Sequence, residues 1–139
     1  MKAYLTRRYL FSASHRLHNP ELSDAENRAT YGKCNNPHGH GHNYALEVTV
    51  VGQVNAKTGM ICDLVELDKF VQREVLDRFG HEHLNALPQF ANEVPTTENL
   101  SSELYRILSG FPKAKLEKIR LEETMLNSFE YAGDAELKI

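Results

Sequence analysis

From Leu5 to Leu17 the chain alternates, with Tyr9, Phe11, Ala13, His15 and Leu17 on one face and Ser12, Ser14 and Arg16 on the other. That period of two predicts a half-buried strand, in which His15 points the same way as Phe11 and Ala13, toward a core or pocket. A long polar connection follows from Asn19 to Lys33, with a helical turn expected over Asp24 to Tyr31. A second strand is predicted from His42 to Val54, where β-formers dominate, and Asn55 to Gly59 reads as a turn leading to Met60 and Ile61.

At Leu64 the period lengthens. Leu64, Leu67, Val71 and Val75 form one stripe, widened by Phe70 and Leu76, which predicts a helix over Leu64 to Phe79. Asp63 is its expected N-cap, and Gly80 falls where a C′ glycine would stand. After a connection from His81 to Pro95, Thr96-Thr97-Glu98 caps a helix that carries Leu100, Leu104, Ile107 and Leu108. Leu116 to Glu123 and Ser128 to Tyr131 close the chain as strands. The order β-β-α-α-β-β predicts an α+β fold, an antiparallel sheet with its helices gathered on one face. Open sheet edges then predict pairing into an oligomer.

With 139 residues the chain fits one domain, 1–139, large enough for a core without disulfides or a structural metal. A net charge of −3 argues against nucleic acid or an anionic membrane surface as partner. Cys34 and Cys62 lie in unlike contexts with no framework spacing, so a cytoplasmic location is expected, with Cys34 a free thiol. Met1 to Tyr9 does not read as a signal peptide, and the apolar runs are far too short to span a bilayer.

Candidate chemistry concentrates between Lys33 and Tyr44, which reads KCNNPHGHGHNY. His38, His40 and His42 are two apart, so in an extended segment their rings share a face. A histidine-rich surface turn is the bland reading, but this tract lies mid-chain and runs into an apolar strand. Neutral imidazoles suit zinc, and a catalytic zinc keeps three protein ligands and one open position. His15 alone would more often be a hydrogen-bonded core residue. It gains weight from the next strand, because strands about 4.8 Å apart let His15 converge with His40 and His42 on one zinc. The tract also reads as His38-Gly-His40, although His40 and His42 stand nearer the supporting strand.

Cys34 reads as a fourth ligand, a buried thiol, or a base whose pKa a nearby cation would depress. Ile119, Leu121 and Glu123 share a strand face, so Glu123 is either a solvated strand end or an inward carboxylate for a planar guanidine-like ligand edge. In the loop after the first helix, Glu82 and His83 read as solvated surface. His81 reads as a candidate general acid or base.

Taken together, FSASHRL (11–17), YGKCNNPHGHGHNY (31–44), the His81 loop, PTTEN (95–99), and EET with NSFEY (122–131) resemble the 6-pyruvoyl tetrahydropterin synthase family. The second motif is highly specific, and the others are strong in this order. The resemblance implies a tunnelling fold, with a four-stranded antiparallel sheet and two helices, three subunits closing a β-barrel and two trimers stacking as a homohexamer. It implies zinc on His15, His40 and His42, with Cys34 as catalytic cysteine and His81 as a catalytic histidine supplied by a neighbouring subunit. It implies Glu123 as the pterin anchor, and Thr97 as a further pterin contact. The implied substrate is 7,8-dihydroneopterin triphosphate, with zinc as Lewis acid and the dihydropterin ring taking up the reducing equivalents.

Family members usually carry Asp-His where this chain has Gly80-His81. Glu82 or Asp77 then substitutes for the acid, or His81 works unaided. Five residues separate Cys34 from His40, as in pyruvoyl-forming members, and three separate Cys34 from His38, as in 6-carboxytetrahydropterin synthases of queuosine biosynthesis. The words CNN and GHGHNY favour the first. A zinc- and pterin-binding module with weakened catalysis is the reading from a different class. An unrelated metallohydrolase is disfavoured, since no His-Glu-x-x-His helix is present.

Overall fold

The computed structural model describes residues 1–134. Four antiparallel strands pair in the order β1-β2-β3-β4: β1 Lys2–His15, β2 His40–Gln53, β3 Lys115–Thr124 and β4 Asn127–Tyr131. β1 begins earlier than its alternation suggested because Lys2 pairs with Gln53, and it stops short of Leu17. There the Leu17 N–H turns away from the sheet to donate to the Cys34 carbonyl at 2.7 Å. β2 in turn begins at His40, which pairs across the ladder with His15.

In β3, Leu116 and Ile119 are both buried although three residues apart, a spacing that a regular strand would split between its faces. A register shift opposite Thr49 and Val50 absorbs Glu117 as an extra residue and returns both side chains to the core.

Helices cover one face of the sheet. α1, Asp24–Tyr31, starts at a capping box in which Ser23 and Glu26 each accept from the other's backbone N–H. α2, Leu64–Val71, is capped by Asp63, whose carboxylate accepts from the Val65 and Glu66 amides at 2.7 and 3.4 Å. The sequence predicts one regular helix to Phe79. Instead α2 passes through a wide π-turn over Gln72–Leu76 into a short α3, Asp77–Phe79. The buried residues Leu67, Val71, Val75 and Phe79 explain this. A spacing of four drifts about 40° per step around a regular helix, and a wide turn takes up the drift. α4, Thr97–Leu108, begins where Thr96 accepts from the Asn99 amide at 3.1 Å, and it buries Leu100, Leu104, Ile107 and Leu108. These side chains meet Phe11, Tyr44, Leu46, Val48, Ile119 and Leu121 in the core.

The other face of the sheet is charged. Arg120 and Arg8 meet Glu47 at 2.7 and 3.5 Å, and Arg8 meets Glu122 at 3.4 Å. Leu10 stands 70% exposed on the same strand face as Arg8. Among the described residues no helix is long and apolar enough to cross a membrane.

Candidate functional site

Strand register, more than any single motif, assembles the site at one end of the sheet. His15 pairs directly with His40, and Ala13 with His42, so both β2 rings fall beside His15 on the helical face. The ring centroids of His15, His40 and His42 lie 4.8, 5.0 and 4.7 Å apart, all nearly perpendicular. His15 has no exposed surface. Its Nδ1 donates to the Pro95 carbonyl at 2.8 Å, leaving the Nε2 lone pair aimed at His40 Nε2, 3.1 Å away. His40 Nδ1 and His42 Nε2 are buried without a hydrogen-bond partner among the described residues. Burial lowers the pKa of His15 and His42, so both rings are neutral donors.

Such an arrangement fits a divalent metal. Buried imidazole nitrogens without a partner are costly, and a metal supplies one. Tetrahedral zinc needs donor nitrogens roughly 3.3 Å apart, close to the separation of the His15 and His40 Nε2 atoms. Two overlapping sets of ligand atoms lie within 4.8 Å of one another: His15, Cys34 and His40, and His15, His42 and Glu123. His15 is common to both. His38 is exposed in the turn before β2, its N–H donating to Asn36 Oδ1. Gly39 makes the close approach possible: its φ is 73°, and a Cβ there would lie 2.9 Å from the His15 carbonyl oxygen.

Around these rings the structure gathers Cys34, Glu123 and Thr97. Cys34 is half-buried in a 3-10 turn, Gly32–Asn35. Burial and then the Glu123 charge push its thiol up, so only a nearby cation would favour the thiolate. Glu123 sits 4.0 Å from His42 Nε2, and the buried Thr97 hydroxyl donates to its other oxygen. A cavity of about 870 Å³ opens onto Cys34, His40, His42 and Glu123. Tyr44 is a residue that sequence reasoning missed. It is 1% exposed and stacks on Phe11, and its hydroxyl is buried without a hydrogen-bond partner among the described residues. Burial first, then Glu123 and Cys34, push its pKa up. Its place at the end of GHGHNY, two residues after His42, was the available signal.

His81 is not brought to the cavity of Cys34 and Glu123. It lines another cavity, of about 310 Å³, with Ser12, Ser14, His42, Asn43 and Glu82, so His42 borders both. Its N–H donates to the Ser12 carbonyl at 2.6 Å, and the Ser14 N–H to the Glu82 carbonyl at 3.0 Å, so this segment lies along the edge of β1. Gly80 stands in the C′ place the sequence assigns it, yet it is extended at φ −63°, and the positive φ of 62° falls on His81. Gly80 is needed for another reason: a Cβ there would lie 2.5 Å from the Leu76 carbonyl oxygen. Of the two acids expected to serve His81, Asp77 is engaged by the Gln72 amide at 2.7 Å, whereas Glu82 shares the His81 cavity. His83, read as solvated surface, meets Ser14 Oγ through Nδ1 at 2.9 Å.

The family model for 6-pyruvoyl tetrahydropterin synthase matches residues 4–134. A 6-pyruvoyl tetrahydrobiopterin synthase of Drosophila melanogaster is 44% identical over 135 residues, covering 94% of this chain and 80% of that protein. The human protein of the same name is 42% identical over 135 residues, covering 96% and 93%. The solved structure of Caenorhabditis elegans 6-pyruvoyl tetrahydropterin synthase superposes with a TM-score of 0.91 at 40% identity, covering 96% of this chain and 97% of that one.

Proposed function

The chain belongs to the 6-pyruvoyl tetrahydropterin synthase family, and from that premise we propose that it is a zinc-dependent lyase. It converts 7,8-dihydroneopterin triphosphate to 6-pyruvoyl tetrahydropterin with loss of triphosphate. The observation that carries this reading is the convergence of the buried His15 with the half-buried His40 and His42, beside a half-buried thiol and an inward carboxylate at one cavity.

His15, His40 and His42 would hold the zinc, which when bound supplies Lewis acidity that makes the substrate's neighbouring C–H bonds more acidic. Glu123 accepts two charge-assisted hydrogen bonds from the amino group and adjacent N–H of the pterin. Thr97, donating to Glu123, holds that carboxylate in place. The Cys34 sulfur takes a carbon-bound proton, and His81 relays one at an oxygen or the neighbouring carbon. Triphosphate leaves with its bonding electron pair, and proton shifts move two reducing equivalents from the side chain into the ring, so no redox cofactor enters.

Because His81 lines a different cavity from Cys34, it reaches the reacting carbons of a neighbouring copy. β1 and β4 are the outer strands of the sheet among the described residues, and β4 with the part of β1 before Ser12 suits that assembly, three chains closing a barrel and two trimers stacking as a hexamer. Residues 1–139 act as one domain in the cytoplasm on a small-molecule substrate. The five-residue gap between Cys34 and His40 supports the pyruvoyl product. Incubating the purified protein with dihydroneopterin triphosphate and identifying products by mass spectrometry tests this. Inorganic triphosphate with 6-pyruvoyl tetrahydropterin is expected, and a 6-carboxy product or no turnover would overturn it.

A further inference from the structure

The cavity that holds Cys34, His40, His42 and Glu123 has a second lining with a different chemistry. Arg16, Arg28 and Lys33 face it, against Asp24 and Glu123 as the only carboxylates among the described residues. The whole chain is net acidic, with 16 lysines and arginines against 19 aspartates and glutamates, so this excess of cations is local. Solvated surface cations usually find a neighbouring acid. Among the described residues none of these three forms an ion pair, although Asp24 lies four residues before Arg28 on α1. Arg16 spends only its Nε–H, on the Asn35 carbonyl at 3.3 Å, and so keeps its terminal fork for another acceptor.

The element that presents Arg28 is pinned. Asn27 is fully buried on α1, and its amide nitrogen donates to the carbonyls of Asn19, Leu22 and Ser23 at 2.9, 3.2 and 3.1 Å. Its oxygen accepts from the Asn19 N–H at 2.8 Å. Arg28 follows it directly, and Lys33 opens the turn that carries Cys34. Buried polar satisfaction of this kind fixes the backbone and leaves long cationic side chains free to wrap a ligand.

We propose that Arg16, Arg28 and Lys33 form a polyphosphate subsite, which holds the anionic tail of the substrate while Glu123 and the histidines hold the other end. The assignment rests on the pterin triphosphate reading of the cavity. Arginine forks bind phosphate oxygens in pairs and lysine neutralises as a point charge. The volume of about 870 Å³ accommodates both ends at once. These cations set substrate choice: the phosphorylated pterin is retained and the free one is bound weakly.

Calorimetry with two probes, inorganic tripolyphosphate and unphosphorylated dihydroneopterin, tests this on the parent and on Arg28→Gln/Lys33→Gln. Both substituted side chains are exposed, so the variant is expected to fold, and circular dichroism checks that it does. Tripolyphosphate affinity should fall by roughly tenfold or more per cation removed, while dihydroneopterin affinity stays unchanged. Asp24→Asn, which removes a facing acid, should strengthen tripolyphosphate binding. Undiminished tripolyphosphate affinity in the double variant, or none in the parent, overturns the subsite. Tripolyphosphate binding that depends on these cations without any dihydroneopterin binding overturns the pterin reading and leaves the anion site standing.

Discussion

The Nδ1 of His15 lies 2.8 Å from the carbonyl oxygen of Pro95, two residues ahead of α4. A carbonyl can only accept, so this bond places the ring proton on Nδ1 and turns the Nε2 lone pair toward His40 and His42. The start of a helix thereby sets the tautomer of a strand residue.

Metal content follows from that orientation. The purified protein should carry about one zinc per chain, and His40→Ala should lose it. Elemental analysis of the parent and of a His15/His40/His42 triple-alanine variant decides the matter. Stoichiometric zinc in the triple variant would sink the assignment.

Cys34 belongs to one of the two compact ligand sets, so base and ligand must be separated by experiment. As the base, Cys34→Ala keeps its zinc and loses turnover by about 10²- to 10⁴-fold. Metal content that falls in step with activity would make it a ligand.

Glu123 and Thr97 act as a unit, because the threonine hydroxyl fills one side of the carboxylate. Removing the carboxylate in Glu123→Ala should weaken pterin binding by about 2–4 kcal/mol, roughly 30- to 1000-fold. Thr97→Val should weaken it less. Calorimetric affinity equal to the parent's in Glu123→Ala would leave Glu123 as a strand-end carboxylate only.

Restoring the family's acid by Gly80→Asp should not improve turnover. The new Cβ meets the Leu76 carbonyl, which belongs to the backbone and cannot swing aside, so stability should drop by about 1–3 kcal/mol. Denaturant titration measures this. A variant as stable as the parent and more active would show that the turn relaxes freely and that His81 lacks only its acid.

Asp68 ties α2 to β1, accepting from Arg7 Nε and Nη2 at 3.1 and 3.0 Å and from the Tyr9 hydroxyl at 2.7 Å. The bonds from Arg7, then Tyr9, hold its carboxyl below the usual aspartate range. A depressed folded pKa contributes stability that is present above the unfolded value and is lost as pH falls through the folded one. Thermal melts should therefore show Asp68→Asn less stable than the parent at neutral pH, with the gap closing below the usual aspartate range. A gap unchanged in strong acid would mean that packing, rather than charge, is responsible.

What the sequence determined by itself was the face on which each side chain lies. The period of two placed His15 with Phe11 and Ala13 and put His40 and His42 together, and the stripe from Leu67 to Val75 marked the helix. Periodicity is a property of neighbouring residues, so it is legible in the chain. Register is not local: that His15 stands opposite His40 depends on the whole β1–β2 ladder down to Lys2 and Gln53. The same holds for the Thr97–Glu123 bond, which joins a helix start to a strand end, and for the wide turn that keeps Val75 and Phe79 in the core. Gly80 shows the difference most plainly. Sequence marked it as a helix-closing glycine, but the approach of the Leu76 carbonyl explains it, while the left-handed backbone passed to His81 because the edge of β1 captures that segment. Such contacts join residues far apart along the chain or depend on the path of a turn, and only packing in three dimensions decides them.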